Sequence, residues 1–486
     1  MILGGNKARQ VELNLAMANR HGLIAGATGT GKTVTLQVMA EAFSRNGIPV
    51  FLSDAKGDLS GLAASGKPHK KIDERLETIG IQGYRQRNYP TVFWDIFGNQ
   101  GHPVRTTLSE FGPLLLASFL DLSDAQTGLM YTVFKLADDE GMLLLDLKDL
   151  KALLNWLGDQ REQLESEYGR ISTASVAAIQ RKLMTLELQG ADKFFGEPAL
   201  QLSDMIKTDF GGNGVINILD ATRLIHEPRL YGIFLLWLIS ELFEQLPEVG
   251  DAAKPKFVFF FDEAHLLFDG APKVLLDKIE QVVRLIRSKG VGIYFVSQSP
   301  ADIPEDILGQ LGNRVQHALR AFTPKDQKAV RVAAQTFRPN PEFSTEDVIT
   351  TLGVGEALVS TLDSTGSPGI VEKALIAPPE SRIGALSSEE RAEVMQRSPY
   401  HGRYDTEVDR ESAYEILKKR TEQMAVSKAE EVDNRNKIEN ASGKSKGGRQ
   451  RQSGLEAFTK STLRSIGSSL GRQIARGILG SITGKR

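Results

Sequence analysis

The residues with the clearest chemistry are Gly26-Ala27-Thr28-Gly29-Thr30-Gly31-Lys32-Thr33, a glycine, four residues and then Gly-Lys-Thr. That is the spacing of a phosphate-binding loop. A triphosphate needs many donors at short range. Glycines let the backbone curl until successive N–H groups point inward, where a Cβ would clash. A helix opening at the end of the loop adds its positive N-terminal end. Lys32 is expected to reach the β- and γ-phosphates, and the Thr33 hydroxyl to bind Mg2+. With Val34, the expected nucleotide-binding set is Gly26, Ala27, Thr28, Gly29, Thr30, Gly31, Lys32, Thr33 and Val34.

Two acids supply the other half of such a site. Asp262-Glu263 closes the apolar run Phe257-Val258-Phe259-Phe260-Phe261. Mg2+ takes hard oxygen ligands, so Asp262 is its expected holder, directly or through water. Glu263 points away from Asp262 and is placed to orient and deprotonate an attacking water. A small-molecule kinase would be harmed by such a base, so the pair points to hydrolysis of ATP. Gln298 ends the next apolar run and is a candidate γ-phosphate sensor or water holder. Arg287 and Arg314 are candidates for stabilising transition-state charge, because guanidinium is planar, forked and always ionised. A surface arginine is the equal alternative for each. Asp54 and Asp58 could touch Mg2+ or the nucleotide, or could be solvated loop carboxylates. His265 has no second His or Cys at ligand spacing and is read as a helix-start residue contacting a neighbouring loop.

These groups need a scaffold that gathers strand ends. Residues 21–25 are a short apolar run, as a buried strand requires, and 34–43 are apolar at helical spacing. Strands are expected at 48–54, 91–95, 214–220, 256–261, 292–298 and 315–322, with a hairpin of 356–362 and 369–376. Ligands of open α/β sheets bind at the C-terminal strand ends, where these residues fall. Residues 1–20 precede the first core strand, with room for no further domain. Several strands separate the two motifs, which fits RecA-like order with an added central strand. The expected fold is therefore α/β: a RecA-like P-loop NTPase core, mainly parallel sheet flanked by helices. The core occupies 1–105 and 206–380, around a helical insertion at 106–205. A charged helical arm (381–440), a flexible linker (441–453) and a basic amphipathic helix (454–486) follow. Residues 405–440 hold ten acidic and seven basic residues and have little to bury. In the last segment Ile466, Leu470, Ile474 and Ile478 line one helix face, and Lys460, Arg464, Arg472 and Arg476 the opposite one.

Composition sets limits. At 486 residues two to four domains are expected. A hydrophobic share of 41 % and a charged share of 25 % permit a large core. With no cysteine, disulfides, thiolate metal sites and a cysteine nucleophile are excluded, and a reducing, cytoplasmic setting is expected. No secretory leader is expected ahead of the phosphate loop, and the apolar run at 231–243 is too short to span a bilayer. A net charge of −2 confines any nucleic-acid contact to local patches.

Gly26 to Thr33, the run from Phe257 to His265, and Ser297-Gln298-Ser299-Pro300 together resemble the HerA/FtsK branch of ring-forming P-loop translocases. Ala18-Asn19-Arg20-His21-Gly22-Leu23-Ile24 and Asn313-Arg314-Val315-Gln316-His317 are most similar to a bacterial group of HerA-like ATPases without an N-terminal barrel. The resemblance covers about residues 1–380. It implies an ATP- and Mg2+-dependent homo-oligomer, a hexamer, that threads duplex DNA and completes each site with a neighbour's arginine; the resemblance favours Arg287 for that role in trans and leaves Arg314 to act in cis or in trans. HerA itself docks a nuclease through its barrel. This chain starts almost at the phosphate loop, which argues against a nuclease partner. An ATPase ring that moves or remodels protein is the second reading, and a slow regulatory switch the third.

Overall fold

In a computed structural model the described residues are 1–250, 252–269 and 273–442. The expected basic helix at 454–486 and all but the first residues of the 441–453 linker lie outside them. Among the described residues twelve strands build one sheet: β1 (Ile2–Gly5), β2 (Gln10–Glu12), β3 (Gly22–Ala25), β4 (Val50–Asp54), β5 (Thr91–Asp95), β6 (His102–Pro103), β7 (Ile216–Asp220), β8 (Phe257–Phe261), β9 (Val291–Ser297), β10 (Asn313–Gln316), β11 (Glu356–Ser360) and β12 (Glu372–Ile376). Their spatial order is β2-β1-β12-β11-β10-β3-β9-β8-β4-β7-β5-β6. From β10 to β6 every pair is parallel, and β11, β12, β1 and β2 add antiparallel at the other side.

The central strands read as unbroken apolar runs because both faces are covered. Successive side chains alternate between two cores. Phe257, Phe259 and Phe261 of β8 enter one, with Phe51 of β4 and Phe295 of β9. Val258 and Phe260 enter the other, with Val50, Leu52 and Tyr294. Full burial of one such side chain stabilises by about 1.5–3 kcal/mol. Helix α1 (Lys32–Arg45) brings Leu36, Met39 and Phe43 to the second core. The long helix Pro228–Gln245, begun by a proline at its first turn, covers the first.

Four features differ from the sequence reading. Residues 2–12 form the β1–β2 hairpin, which extends the sheet through β12, and a short 3-10 helix follows at Leu15–Arg20. Strand β10 stops at Gln316 instead of running to 322; residues 317–322 lie outside any strand and lead to a helix that begins at Pro324, capped by Thr323 and Asp326. The region expected as a helical insertion does contain the helices Leu108–Phe119, Asp124–Asp139, Leu147–Asp159, Arg161–Tyr168 and Thr173–Leu188. Their apolar faces nevertheless share one core with the sheet. The segment 381–412, expected as part of an arm, packs on the β5 edge: Tyr400 and Tyr404 lie against Trp94, and Arg391 bridges to Asp220 at 3.1 Å while covering the Phe93 ring. Met1–Lys418 accordingly form one compact unit. The second unit begins at Lys419 and is helical as far as residue 442.

Candidate functional site

The phosphate loop is the link from β3 to α1. Gly26, Gly29 and Gly31 all take positive φ, at 155°, 76° and 117°. A Cβ on Gly26 would stand 2.5 Å from the His317 side chain, and one on Gly31 would stand 3.3 Å from Gly355. Conformation and close approach therefore both demand glycine. The loop is held from behind: Gly26 N donates to Ser297 O, Ala27 N to Ala318 O, and Gly355 N to Thr30 O at 2.9 Å. Lys32 is buried and donates to the loop's own carbonyls, Gly26 O at 2.6 Å and Ala27 O at 3.2 Å. Burial and the nearby Lys56 ammonium hold it below the usual lysine range. Phosphate oxygens entering the loop would take over its protons.

β9 alone separates β3 from β8, so the end of β8 faces the same edge. Asp262 and Glu263 follow it directly, 6 % and 9 % exposed. Burial and the neighbouring Glu263 carboxylate push Asp262 up to about 7, against the opposing Lys56 ammonium. A buried acid of this kind, with the Thr33 hydroxyl heading α1, supplies the hard oxygen donors that Mg2+ takes, and bound phosphates would supply the rest. No cluster of three or more His, Asp or Glu suited to a metal occurs among the described residues.

Glu263 adopts φ 47°, a left-handed conformation that non-glycine residues rarely hold. Burial would raise its pKa, but the Lys56 ammonium, 2.8 Å from Oε1, outweighs this and keeps it ionised. Gln298 stands just past the end of β9, exposed at the same edge. Lys32, Thr33, Asp262, Glu263 and Gln298 thus converge on one edge of the sheet.

The remaining candidates separate from that group. Asp54 is a loop anchor: its buried carboxylate accepts N–H groups of Gly57, Asp58 and Leu59 at 2.8, 3.3 and 3.0 Å. Arg314 grips three backbone carbonyls, of Leu311 at 3.0 Å, Thr336 at 2.9 Å and Leu308 at 3.0 Å, which occupies its guanidinium inside its own subunit. Arg287 lies in the turn before β9, at the opposite sheet edge. Seven strand residues intervene, roughly 20 Å at ~3.3 Å each, so Arg287 cannot reach this subunit's own phosphates. His265 Nδ1 lies 3.4 Å from Glu263 Oε2 without hydrogen-bond geometry.

Three parts take no role from the sequence alone. His317 lies behind the loop, its Nε2 2.8 Å from Thr35 Oγ1 and its Nδ1 3.0 Å from Glu356 O. Lys56 sits in the turn after β4. A cavity of about 580 Å³ opens beside Gly31 and Val34, walled by helix α2 (Lys70–Ile79), Gly355 and the segment from Pro378 to Ile383. Its size suits a nucleoside whose phosphates rest on the loop. Those walls come from three distant stretches, and composition offers no signal for their meeting.

The family model "Helicase HerA-like C-terminal" matches residues 1–486. The chain is similar to the DNA double-strand break repair helicase HerA of Sulfolobus acidocaldarius, 22 % identical over 372 residues that make up 74 % of this chain and 65 % of that protein. It is similar also to the protein of the same name from Saccharolobus solfataricus, 22 % identical over 358 residues, 72 % of this chain and 63 % of the relative. The chain thus spans slightly under two thirds of these relatives. Among solved structures, the unbound monoclinic form of the bacterial conjugative coupling protein TrwBdeltaN70 shares the fold, with a TM-score of 0.50, 14 % identity, and coverage of 79 % of this chain and 97 % of that one. No helix among the described residues is long and apolar enough to cross a membrane.

Proposed function

The chain belongs to the helicase HerA-like C-terminal family, and we propose that it is a Mg2+-dependent ATP hydrolase working as a ring-forming motor on duplex DNA. The observation that carries the reading is the convergence of Lys32 and Thr33 after β3, Asp262 and Glu263 after β8, and Gln298 after β9 on one sheet edge. The loop N–H groups and Lys32 bind the triphosphate. Thr33 and Asp262 would hold Mg2+, which when bound would supply positive charge against the phosphates. Glu263 orients a water and takes its proton, and Gln298 holds that water or senses the γ-phosphate.

Arg287 belongs to this proposal only as a residue acting on a neighbour's nucleotide, because its own lies across the sheet. That calls for an oligomer, a hexamer on the family pattern, with a cytoplasmic setting. Duplex DNA as the substrate rests on the names of the HerA relatives. The test is the ATP turnover rate with and without duplex DNA at low salt. Stimulation by DNA, lost as salt rises, supports a DNA motor. An active ATPase that neither binds nor responds to duplex DNA would instead be a protein-moving ring.

A further inference from the structure

Strand β4 ends in a turn held by several hydrogen bonds. The Asp54 carboxylate accepts three successive backbone N–H groups, and Gly57 takes φ 74° to close the turn. Lys56 stands in that turn. β4 and β8 are adjacent parallel strands, with Ser53 beside Phe261. A side chain leaving the end of β4 therefore reaches the residues that follow β8. Lys56 Nζ lies 2.8 Å from Glu263 Oε1. The other oxygen, Oε2, is buried, lies 3.4 Å from His265 Nδ1 without hydrogen-bond geometry, and has no hydrogen-bond partner among the described residues.

This asymmetry is more than an ion pair needs. Buried carboxylate oxygens are ordinarily satisfied, and an unpaired one is costly. Here one oxygen is gripped by an ammonium while the other, enclosed beside His265 Nδ1, accepts no hydrogen bond, on a residue whose backbone is itself held at φ 47°. The ammonium weakens the carboxylate as a base. In exchange it fixes the plane of the carboxylate, so that a single oxygen is presented. We propose that Lys56 is a positioning residue for hydrolysis, holding Glu263 by Oε1 so that Oε2 receives the proton of the attacking water.

The inference rests on the role given above to Glu263. In the step it serves, the water oxygen bonds to the γ-phosphorus and its proton passes to Oε2. The bond from the γ-phosphorus to the bridging oxygen breaks, and its electron pair leaves with ADP.

The test compares Lys56→Met, Lys56→Arg, Glu263→Gln and the double variant Lys56→Met/Glu263→Gln in the full chain. Fluorescent ATP-analogue affinity and steady-state and single-turnover hydrolysis are measured for each. Misplacing a reacting group by about 1 Å costs up to about a hundredfold, so Lys56→Met should lower kcat by about ten- to a hundredfold. KM and analogue affinity should change much less than kcat, because the loop's own donors are retained. Lys56→Arg keeps a donor on Oε1 and should recover most of the rate. In the Glu263→Gln background, Lys56→Met should add no further loss, as two groups acting in series require. An unchanged or raised kcat in Lys56→Met overturns the proposal, and so does an equal loss in the Glu263→Gln background. Near-normal turnover of Glu263→Gln itself would refute the underlying role of Glu263. A slow Glu263→Gln beside a normal Lys56→Met refutes the positioning role alone.

Discussion

Replacing His317 by glutamine should destabilise the chain more at pH 7.5 than at pH 5. The Glu356 carbonyl only accepts, so Nδ1 of His317 carries the proton and Nε2 accepts from the Thr35 hydroxyl. Burial lowers the imidazole pKa from 6.5 to about 4, the Glu356 hydrogen bond opposes this, and the nearby Lys32 ammonium adds to it. The unfolded chain takes up a proton below pH 6.5 and the folded chain does so only near pH 4. Stability from the neutral ring is therefore fully present above pH 6.5 and is lost as pH falls through 4. The loss is about 2 kcal/mol at pH 5 and about 3 kcal/mol below pH 4. His21, also lowered to about 4, acts in the same direction. Glu41, raised to about 7, and Asp54, raised to about 6, act in the opposite one. The difference between wild type and variant cancels all three. In urea unfolding followed by tryptophan fluorescence, the cost of His317→Gln should shrink by about 2 kcal/mol from pH 7.5 to pH 5. A cost equal at both pH values would show that His317 titrates as an ordinary histidine and refute the argument.

Lys32→Ala should weaken ATP binding, measured with a fluorescent analogue, since the ammonium that would meet the phosphates is gone. Arg314→Ala should lose stability, by about 2–4 kcal/mol in urea, because three carbonyls lose a charged donor; a steep fall in turnover with unchanged stability would return Arg314 to the catalytic set. Arg287→Ala should bind ATP but turn over about 10³-fold more slowly or worse. Mixed with Lys32→Ala subunits it should regain activity through interfaces carrying one intact loop and one intact arginine. Activity equal to the sum of the two variants, despite proven subunit exchange, would exclude a role in trans.

How far the sequence discloses this arrangement depends on how locally each part is encoded. The phosphate loop is eight consecutive residues, and its glycines are dictated by their own φ angles, so Gly26 to Thr33 is legible unaided. Asp262-Glu263 is legible because five apolar residues force a buried strand and the acids must then fall at its end. Lys56, His317 and the cavity walls are different. Each acts on a residue far away in the chain, Glu263, Thr35 and Gly31 respectively, and strand adjacency alone brings them there. Arg314 misleads for a related reason: a guanidinium suits a phosphate and a cluster of backbone carbonyls equally, and only the packing of Leu308, Leu311 and Thr336 decides. The segment 381–412 reads as a solvated arm from its charges. Its few aromatic anchors, Tyr400 and Tyr404, carry it into the core through Trp94.

The most direct test of the account is Mg2+-dependent ATP turnover by the wild-type chain beside Glu263→Gln, with nucleotide binding measured on the same samples. The site at the ends of β3, β8 and β9 predicts that both bind ATP and that the variant hydrolyses it at least about a hundredfold more slowly. Comparable turnover by the two, with binding intact in both, would contradict the assignment of hydrolysis to this site.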